Sequence, residues 1–369
     1  MEVRPPRIPT LDGWRTIAIG LVVWHHVMMG FFTSETAYYG VSLSHMGAFG
    51  VDVFFAISGL LITLLLLEER QLHGAVSVGG FYIRRAFRIL PPCFVYLGAA
   101  AIVAGLATRW DLLSSVFFFR NYLPQELGSQ VTGHLWSLAV EEHFYLLWPA
   151  LFLSVGVVYK ARGVAWMALL CGLWRVADAQ NHWTDAWLGS VPSHFRTDLR
   201  LDALLWGCVV AFLLHDQRTR EKLARGLRPV WFWPMVTAVV VGIVFYSHLT
   251  ALWLAMLLPL LPASTLLHPE WTVSRWLEHP AMRFTGRMSY SLYLWQQLFL
   301  TAGWEHPRVF QQAPWNLLLV FACAFASYRF VERPCMNLGR RLSERWRGAS
   351  IAPQESSAPA RDQACSTLQ

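Results

Sequence analysis

The sequence predicts an all-α, polytopic membrane protein of about ten transmembrane helices with both termini in the cytoplasm. Three observations carry that expectation. Of 369 residues, 55% are apolar and 14% charged, against roughly 25% charged in a soluble domain, too few to cover a water-exposed surface. The apolar residues fall in blocks suited to a hydrocarbon core of ~30 Å, which takes about 20 residues of helix, and lipid obliges such blocks to satisfy their own backbone. The 19 Trp and 11 Tyr suit interfacial belts, where an apolar ring meets a polar headgroup.

The blocks run 15–32, 47–67, 88–107, 136–157, 164–178, 199–215, 230–247, 251–267, 284–303 and 314–331. The fifth is short. The turn at Ser247 to Thr250 leaves open two spans or one re-entrant pair. An even count puts both termini on one side, and most of the 30 Lys and Arg then fall in segments on the amino-terminal side, which the positive-inside rule assigns to the cytoplasm. The +7 balance is thereby read as topology rather than as nucleic-acid binding. The start, MEVRPPRIPTLDGWR, lacks a small-residue cleavage site, so the first helix is expected to stay in the mature protein. Six scattered cysteines predict neither a disulfide framework nor a zinc site. Residues 1–340 are expected to form one membrane-embedded domain, and 341–369, poor in apolar periodicity from Gly348 onward, a disordered cytoplasmic tail.

Ionisable residues inside such blocks are costly and tend to mark function. The first block opens with LDGWR (11–15) and carries His25 and His26 roughly 15 Å beyond Arg15. Their side chains point about 100° apart, so one is expected to face a site, the other to pack. The second, GAFGVDVFFAISGLLIT (47–63), holds Asp52 and Ser58-Gly59; Asp52 either caps a helix or orients a catalytic histidine, and the Ser-Gly pair either packs closely or lines a site. FYIRRAFRILPP (81–92) supplies Arg84, Arg85 and Arg88, with Arg84 and Arg88 one turn apart, a spacing suited to phosphate and equally to positive-inside bias. GHLWSLAVEEHFYLLWP (133–149) brings Trp136, Ser137, Glu141 and His143 to the start of a span. In FRTDLRLDALLWG (195–207), Arg196, Asp198, Arg200 and Asp202 are spaced as a neutral ion-pair ladder. FVERP (330–334) suggests a Glu332–Arg333 interfacial pair with Pro334 ending the helix.

Taken in order, LDGWRTIAIGLVVWHH, GVDVFFAISGLLIT, FYIRRAFRILP, HLWSLAVEEHFYLLWP, the R-x-D-x-L-x-x-G segment ending at Gly207, and GRMSYSLYLW closely resemble the acyltransferase-3 family of integral membrane acyltransferases, over residues 10 to 340 or so. In that resemblance the histidine eleven positions after the LDGxR arginine is His26, not His25. The resemblance implies transfer of an acyl group, often acetyl, from cytoplasmic acyl-coenzyme A to a hydroxyl of a sugar, glycan, lipid-linked saccharide or secondary metabolite. It further implies a catalytic set of His26, Asp52 and Glu141, a donor grip of Arg15, Arg84, Arg85 and Arg88, and an acceptor region with Trp136, Ser137 and Ser58. The chain departs from the family at Gln296, where many relatives read His. A stand-alone form in the cell's inner membrane is expected, since no hydrolase-like domain follows the tenth block.

The expected mechanism has His26, oriented by Asp52, remove the proton of the acceptor hydroxyl as its oxygen attacks the thioester; a covalent acyl-histidine is a variant the sequence leaves open. Glu141 and Trp136 are expected near the outer mouth, with the acceptor. No metal and no permanently bound cofactor are expected. The competing reading is a proton-coupled transporter or flippase of a saccharide or acyl compound, using the same intramembrane groups.

Overall fold

The computed structural model describes residues 8–31, 44–103, 109–154, 160–189, 191, 193–300 and 309–351, and among these the regular structure is helical throughout, with no strand. The chain runs α1 (Pro9–Phe31), α2 (Ser44–His73), α3 (Val78–Val103), α4 (Arg109–Val116), α5 (Leu135–Ser154), α6 (Lys160–Asn181), α7 (Asp185–Leu188) and α8 (Leu201–His215). It continues with α9 (Gln217–Gly226), α10 (Pro229–Val244), α11 (His248–Leu257), α12 (Leu260–Leu267), α13 (Thr272–Leu277), α14 (Pro280–Arg287), α15 (Ser289–Leu300), α16 (Trp315–Ser327) and α17 (Arg333–Ile351). Each of the ten apolar blocks falls on one or more of these helices.

Among the described residues, four helical segments are long and apolar enough to cross a membrane, namely Gly47–His73, Val78–Val103, His248–Leu267 and Trp315–Arg347; a fifth arises if α9 and α10, bent by 75°, count as one. The remaining blocks fall short for a physical reason. They are broken into shorter helices, as at α14 and α15, or carry ionisable groups that lower their hydropathy, as Asp12, Arg15, His25 and His26 do in α1 and Glu141, Glu142 and His143 in α5.

Helix α2 sits at the centre, and backbones approach it where side chains vanish. A Cβ built on Gly59 would lie 1.9 Å from the Leu204 carbonyl oxygen of α8, and one on Gly207 would lie 2.3 Å from that of Ala56. Small residues on both helices therefore allow this crossing, the usual device where hydrophobic driving force between helices is weak. The amino-terminal end of α1 is clamped in the same way, since a Cβ on Gly286 of α14 would meet the Asp12 carbonyl oxygen at 1.7 Å. Thr16 adds a hydrogen bond to the Met282 carbonyl at 2.5 Å, and Thr10 one to Glu278 at 2.6 Å.

Ser247 caps α11, accepting from the Thr250 amide at 3.1 Å in a capping box, so α10 and α11 are distinct helices about the tight turn that the sequence placed there. Other expectations are corrected. Pro334 does not end its helix. A π-helical turn at Tyr328–Glu332 directly precedes it, and that wider turn makes room for the ring against the carbonyl four residues back. Glu332 accepts from Ser291 at 2.7 Å rather than pairing with Arg333. The domain boundary drawn at 340 falls inside α17, which packs along α3 and runs to Ile351; residues 352–369 of the expected tail lie outside the described residues.

Candidate active site

Three side chains at four-residue spacing on α5, Ser137, Glu141 and Tyr145, form one stripe, because positions i and i+4 stack on a helix face. The stripe lines a chamber of about 80 Å³ together with Arg15 from α1, Ser58 from α2, Arg85 and Arg88 from α3, and Tyr290 and Tyr293 from α15. Ser58 stands beside Gly59, whose close approach to α8 turns the neighbouring hydroxyl the other way, toward α5. Ser58 donates to Glu141 Oε1 at 2.6 Å and receives the Tyr145 hydroxyl at 3.1 Å. Ser137 and the Tyr293 hydroxyl are hydrogen-bonded at 2.9 Å, and Tyr293 also donates to the His134 carbonyl. The Arg85 guanidinium lies 4.9 Å from the centre of the Tyr145 ring, a cation–π contact that leaves its N–H donors available at the edges.

A second cavity, about 400 Å³, is lined by Asp52, Trp136, Arg175, His194, Phe195 and Arg200, among others. Trp136 and Ser137 are adjacent in sequence yet open into different cavities, as a 100° step per residue dictates. Phe55 lines the first chamber and meets Trp136 edge-on at 6.2 Å, so these rings form the partition. Arg200 packs over both rings, 5.8 Å from Phe55 and 5.5 Å from Trp136, and is ion-paired with Asp52. On the far side of Trp136, Phe195 stacks at 4.7 Å and 23°. His194, in the turn before α8, is held below the ordinary imidazole pKa by desolvation and then by Arg200, which keeps it uncharged near neutral pH.

Six of the expected site residues thus meet in one chamber: Arg15, Ser58, Arg85, Arg88, Ser137 and Glu141. The others lie elsewhere. Arg84 turns away to Glu69 at 3.0 Å and Ser343 at 2.6 Å, because α17 packs along that side of α3. Asp52 and Trp136 belong to the second cavity, so Glu141 does not share a mouth with Trp136. Asp52 has Arg200 as its partner, and the expected support of His26 by Asp52 is not the arrangement found. His26 is half-buried, with Nδ1 2.8 Å from the Val22 carbonyl. A carbonyl can only accept, so Nδ1 carries the proton in the neutral ring and the basic lone pair is on Nε2.

The ladder in 196–202 is likewise redistributed. Arg196 pairs with Asp178 at 3.1 Å and with Asp198, while Asp202 pairs with Arg175 at 2.7 Å. A 3₁₀ turn at Thr197–Leu199 precedes α8, so the one-turn spacing of a continuous helix does not hold, and of the four it is Arg196 and Asp198 that pair with each other. Tyr145, Tyr290 and Tyr293 were not singled out from sequence, and Arg200 was read only as part of the ion-pair ladder. The four-residue interval from Glu141 to Tyr145 was a usable signal; nothing local marked Arg200 as the partner of Asp52, 148 residues away. Gln296 is fully buried and donates to Gln297 Oε1 at 3.3 Å.

Comparison with known proteins bears on what such a chamber does. Residues 8–327 match the family described as an acyltransferase domain (Acyl_transf_3). The chain belongs to this family. Its curated relatives include a Staphylococcus aureus (strain COL) protein provisionally named an O-acetyltransferase, 28% identical over 93% of this chain and 59% of its own length. A peptidoglycan O-acetyltransferase of Listeria monocytogenes is 26% identical over 90% of this chain and 56% of its own. A Bacillus subtilis protein provisionally named a peptidoglycan O-acetyltransferase is 27% identical over 92% and 56%. The chain therefore spans less than three fifths of the length of these relatives. No solved structure matches it. The acyltransferase-family match ends within α16, short of α17.

Proposed function

We propose that this chain is a membrane O-acyltransferase that moves an acyl group, acetyl in the simplest case, from acyl-coenzyme A to a hydroxyl of a sugar, glycan, lipid-linked saccharide or secondary metabolite. The observation that carries the reading is the chamber in which Arg15, Arg85 and Arg88 surround the hydrogen-bonded Ser58–Glu141 pair. Arginines suit phosphate through charge-assisted, often bidentate bonds. A carboxylate beside them suits holding a hydroxyl acceptor or balancing charge as the thioester is attacked.

In this reading ten helical spans put both termini in the cytoplasm of a multi-pass inner-membrane protein, with the arginine chamber on the donor's side. His26 Nε2, unprotonated in the tautomer set by Val22, takes the proton of the acceptor hydroxyl. The acceptor oxygen bonds to the acyl carbon, the carbon–sulfur bond breaks, and coenzyme A thiolate leaves. The names of the Listeria and Bacillus relatives favour a cell-wall glycan as one acceptor class.

The test is purified protein in nanodiscs with labelled acetyl-coenzyme A and a panel of hydroxyl acceptors. Release of free thiol that depends on acceptor is expected, and His26→Ala should abolish it while leaving the protein inserted. Saccharide uptake into proteoliposomes without thiol release would instead support the transporter. Full transfer by His26→Ala would remove the histidine from the mechanism.

A further inference from the structure

Arg15 and Arg88 do not line the chamber alone. They also line a larger vestibule of about 650 Å³ next to it, whose walls add Arg287 from the end of α14 and Arg333, Asn337 and Arg340 from α17. Positions 333, 337 and 340 fall on one helical face, at intervals of four and three. That face is presented because the opposite side of α17 is pinned along α3: a Cβ on Gly339 would lie 2.5 Å from Phe87 Cβ, Arg84 donates to Ser343, and Arg347 pairs with Glu69 at 2.7 Å. Arg287 is brought in by the tight seat of Gly286 on the Asp12 carbonyl.

Two carboxylates stand among these five arginines, and both are engaged. Asp12 pairs with Arg15 at 3.2 Å, and Glu332 accepts from Ser291. Among the described residues no ion pair is made by Arg88, Arg287, Arg333 or Arg340, and the buried Nε of Arg287 has no hydrogen-bond partner. A concave site with that excess of unneutralised guanidinium suits a ligand bearing several phosphate groups.

We propose that this vestibule, with Arg287, Arg333 and Arg340 added to Arg15 and Arg88, binds the pyrophosphate and 3′-phosphate of a coenzyme A donor, leaving the thioester arm to extend past Arg88 into the Ser58–Glu141 chamber. The inference rests on the acyl-coenzyme A reading and goes beyond it. It assigns the nucleotide end to α14 and to a helix outside the family match, and it removes Arg84 from the donor grip. Anionic lipid headgroups share this phosphate chemistry, so the experiment separates the two sources.

Full-length protein in nanodiscs of neutral phosphatidylcholine is titrated with radiolabelled adenosine 3′,5′-bisphosphate, a readout that needs no turnover. Wild type should bind it, while Arg287→Ala and Arg340→Ala should each bind about tenfold more weakly, the loss of one charge-assisted contact. Arg341→Ala, an exposed position of α17 that is not part of the vestibule wall, should match wild type. In turnover, the first two variants should raise KM for acetyl-coenzyme A by a similar factor and leave KM for S-acetylpantetheine, which lacks the nucleotide, unchanged. Equal effects on both donors, or no bisphosphate binding by wild type, would overturn the assignment. So would phosphatidylglycerol that co-purifies with wild type, is lost from both variants and displaces bound bisphosphate from wild type. Bisphosphate binding with the expected variant pattern but no thiol release from either donor would sink the acyltransferase reading and leave the vestibule assignment standing.

Discussion

The Ser58 hydroxyl donates to Glu141 Oε1 at 2.6 Å, linking α2 to α5 across 83 residues of sequence in the middle of the arginine-lined chamber. Tyr145 completes the chain by donating to Ser58, so a carboxylate, two hydroxyls and the Arg85 guanidinium share one polar cluster. Such clusters are stable only when their members are satisfied together.

Replacing Glu141 tests whether its charge matters or only its acceptor oxygen. Glu141→Gln keeps an acceptor for Ser58 and removes the negative charge facing Arg85. We expect thermal stability to fall less than for Glu141→Ala, and kcat/KM to drop about tenfold or more, as for loss of a charge-assisted contact. Wild-type kcat/KM in Glu141→Gln would leave the carboxylate a structural part.

The two neighbouring arginines of α3 should separate cleanly. Arg84 holds Glu69 together with Arg347, so Arg84→Ala is expected to cost about 1–2 kcal/mol of stability with KM for the donor unchanged. Arg85 faces the chamber, and Arg85→Ala should raise donor KM with little loss of stability. Denaturation and donor kinetics on the same two preparations check both halves.

Gly59 and Gly207 should be intolerant of even one methyl group. With carbonyl oxygens at 1.9 and 2.3 Å from the added Cβ, alanine must push α2 and α8 apart, an overpacking cost of about 1–3 kcal/mol each. Gly98→Ala is the control, since nothing lies within 4 Å of its added Cβ. Melting temperatures in one detergent should rank Gly98→Ala near wild type and the other two clearly below.

The Asp52–Arg200 pair predicts non-additivity. Arg200 is 6% exposed and Asp52 23%, so removing either partner strands a largely buried charge, at about 1–3 kcal/mol after allowing for solvent at the carboxylate. Asp52→Asn combined with Arg200→Gln should recover part of that loss. Unfolding free energies that simply add would show that the two side chains act independently.

Much of this was readable in the residues themselves. Apolar blocks and Arg and Lys bias predicted a helical membrane protein, since hydropathy and helical spacing are local properties, and the resemblance carried by the six motifs named several of the residues that line the chamber. The contents of α5 illustrate the limit. The motif named Trp136, Ser137 and Glu141 together, but a 100° step sends Trp136 through the partition into another cavity. Arg84 reads like Arg85 and Arg88 until α17 is laid beside it.

By itself the sequence determined the class of fold and the helices, and it named Arg15, Ser58, Arg85, Arg88, Ser137 and Glu141 as candidates, but it set the arginines and Glu141 at opposite faces, and only the tertiary structure brought them into one chamber. Tertiary structure alone decided who pairs with whom: Asp52 with Arg200 rather than His26, Arg84 with Glu69 and Ser343, Glu332 with Ser291. The reason is physical. A side chain's periodicity says which face of its own helix it occupies, whereas the partner on that face comes from close approaches such as Gly59 on Leu204 and Gly286 on Asp12, and those depend on residues far away in the chain.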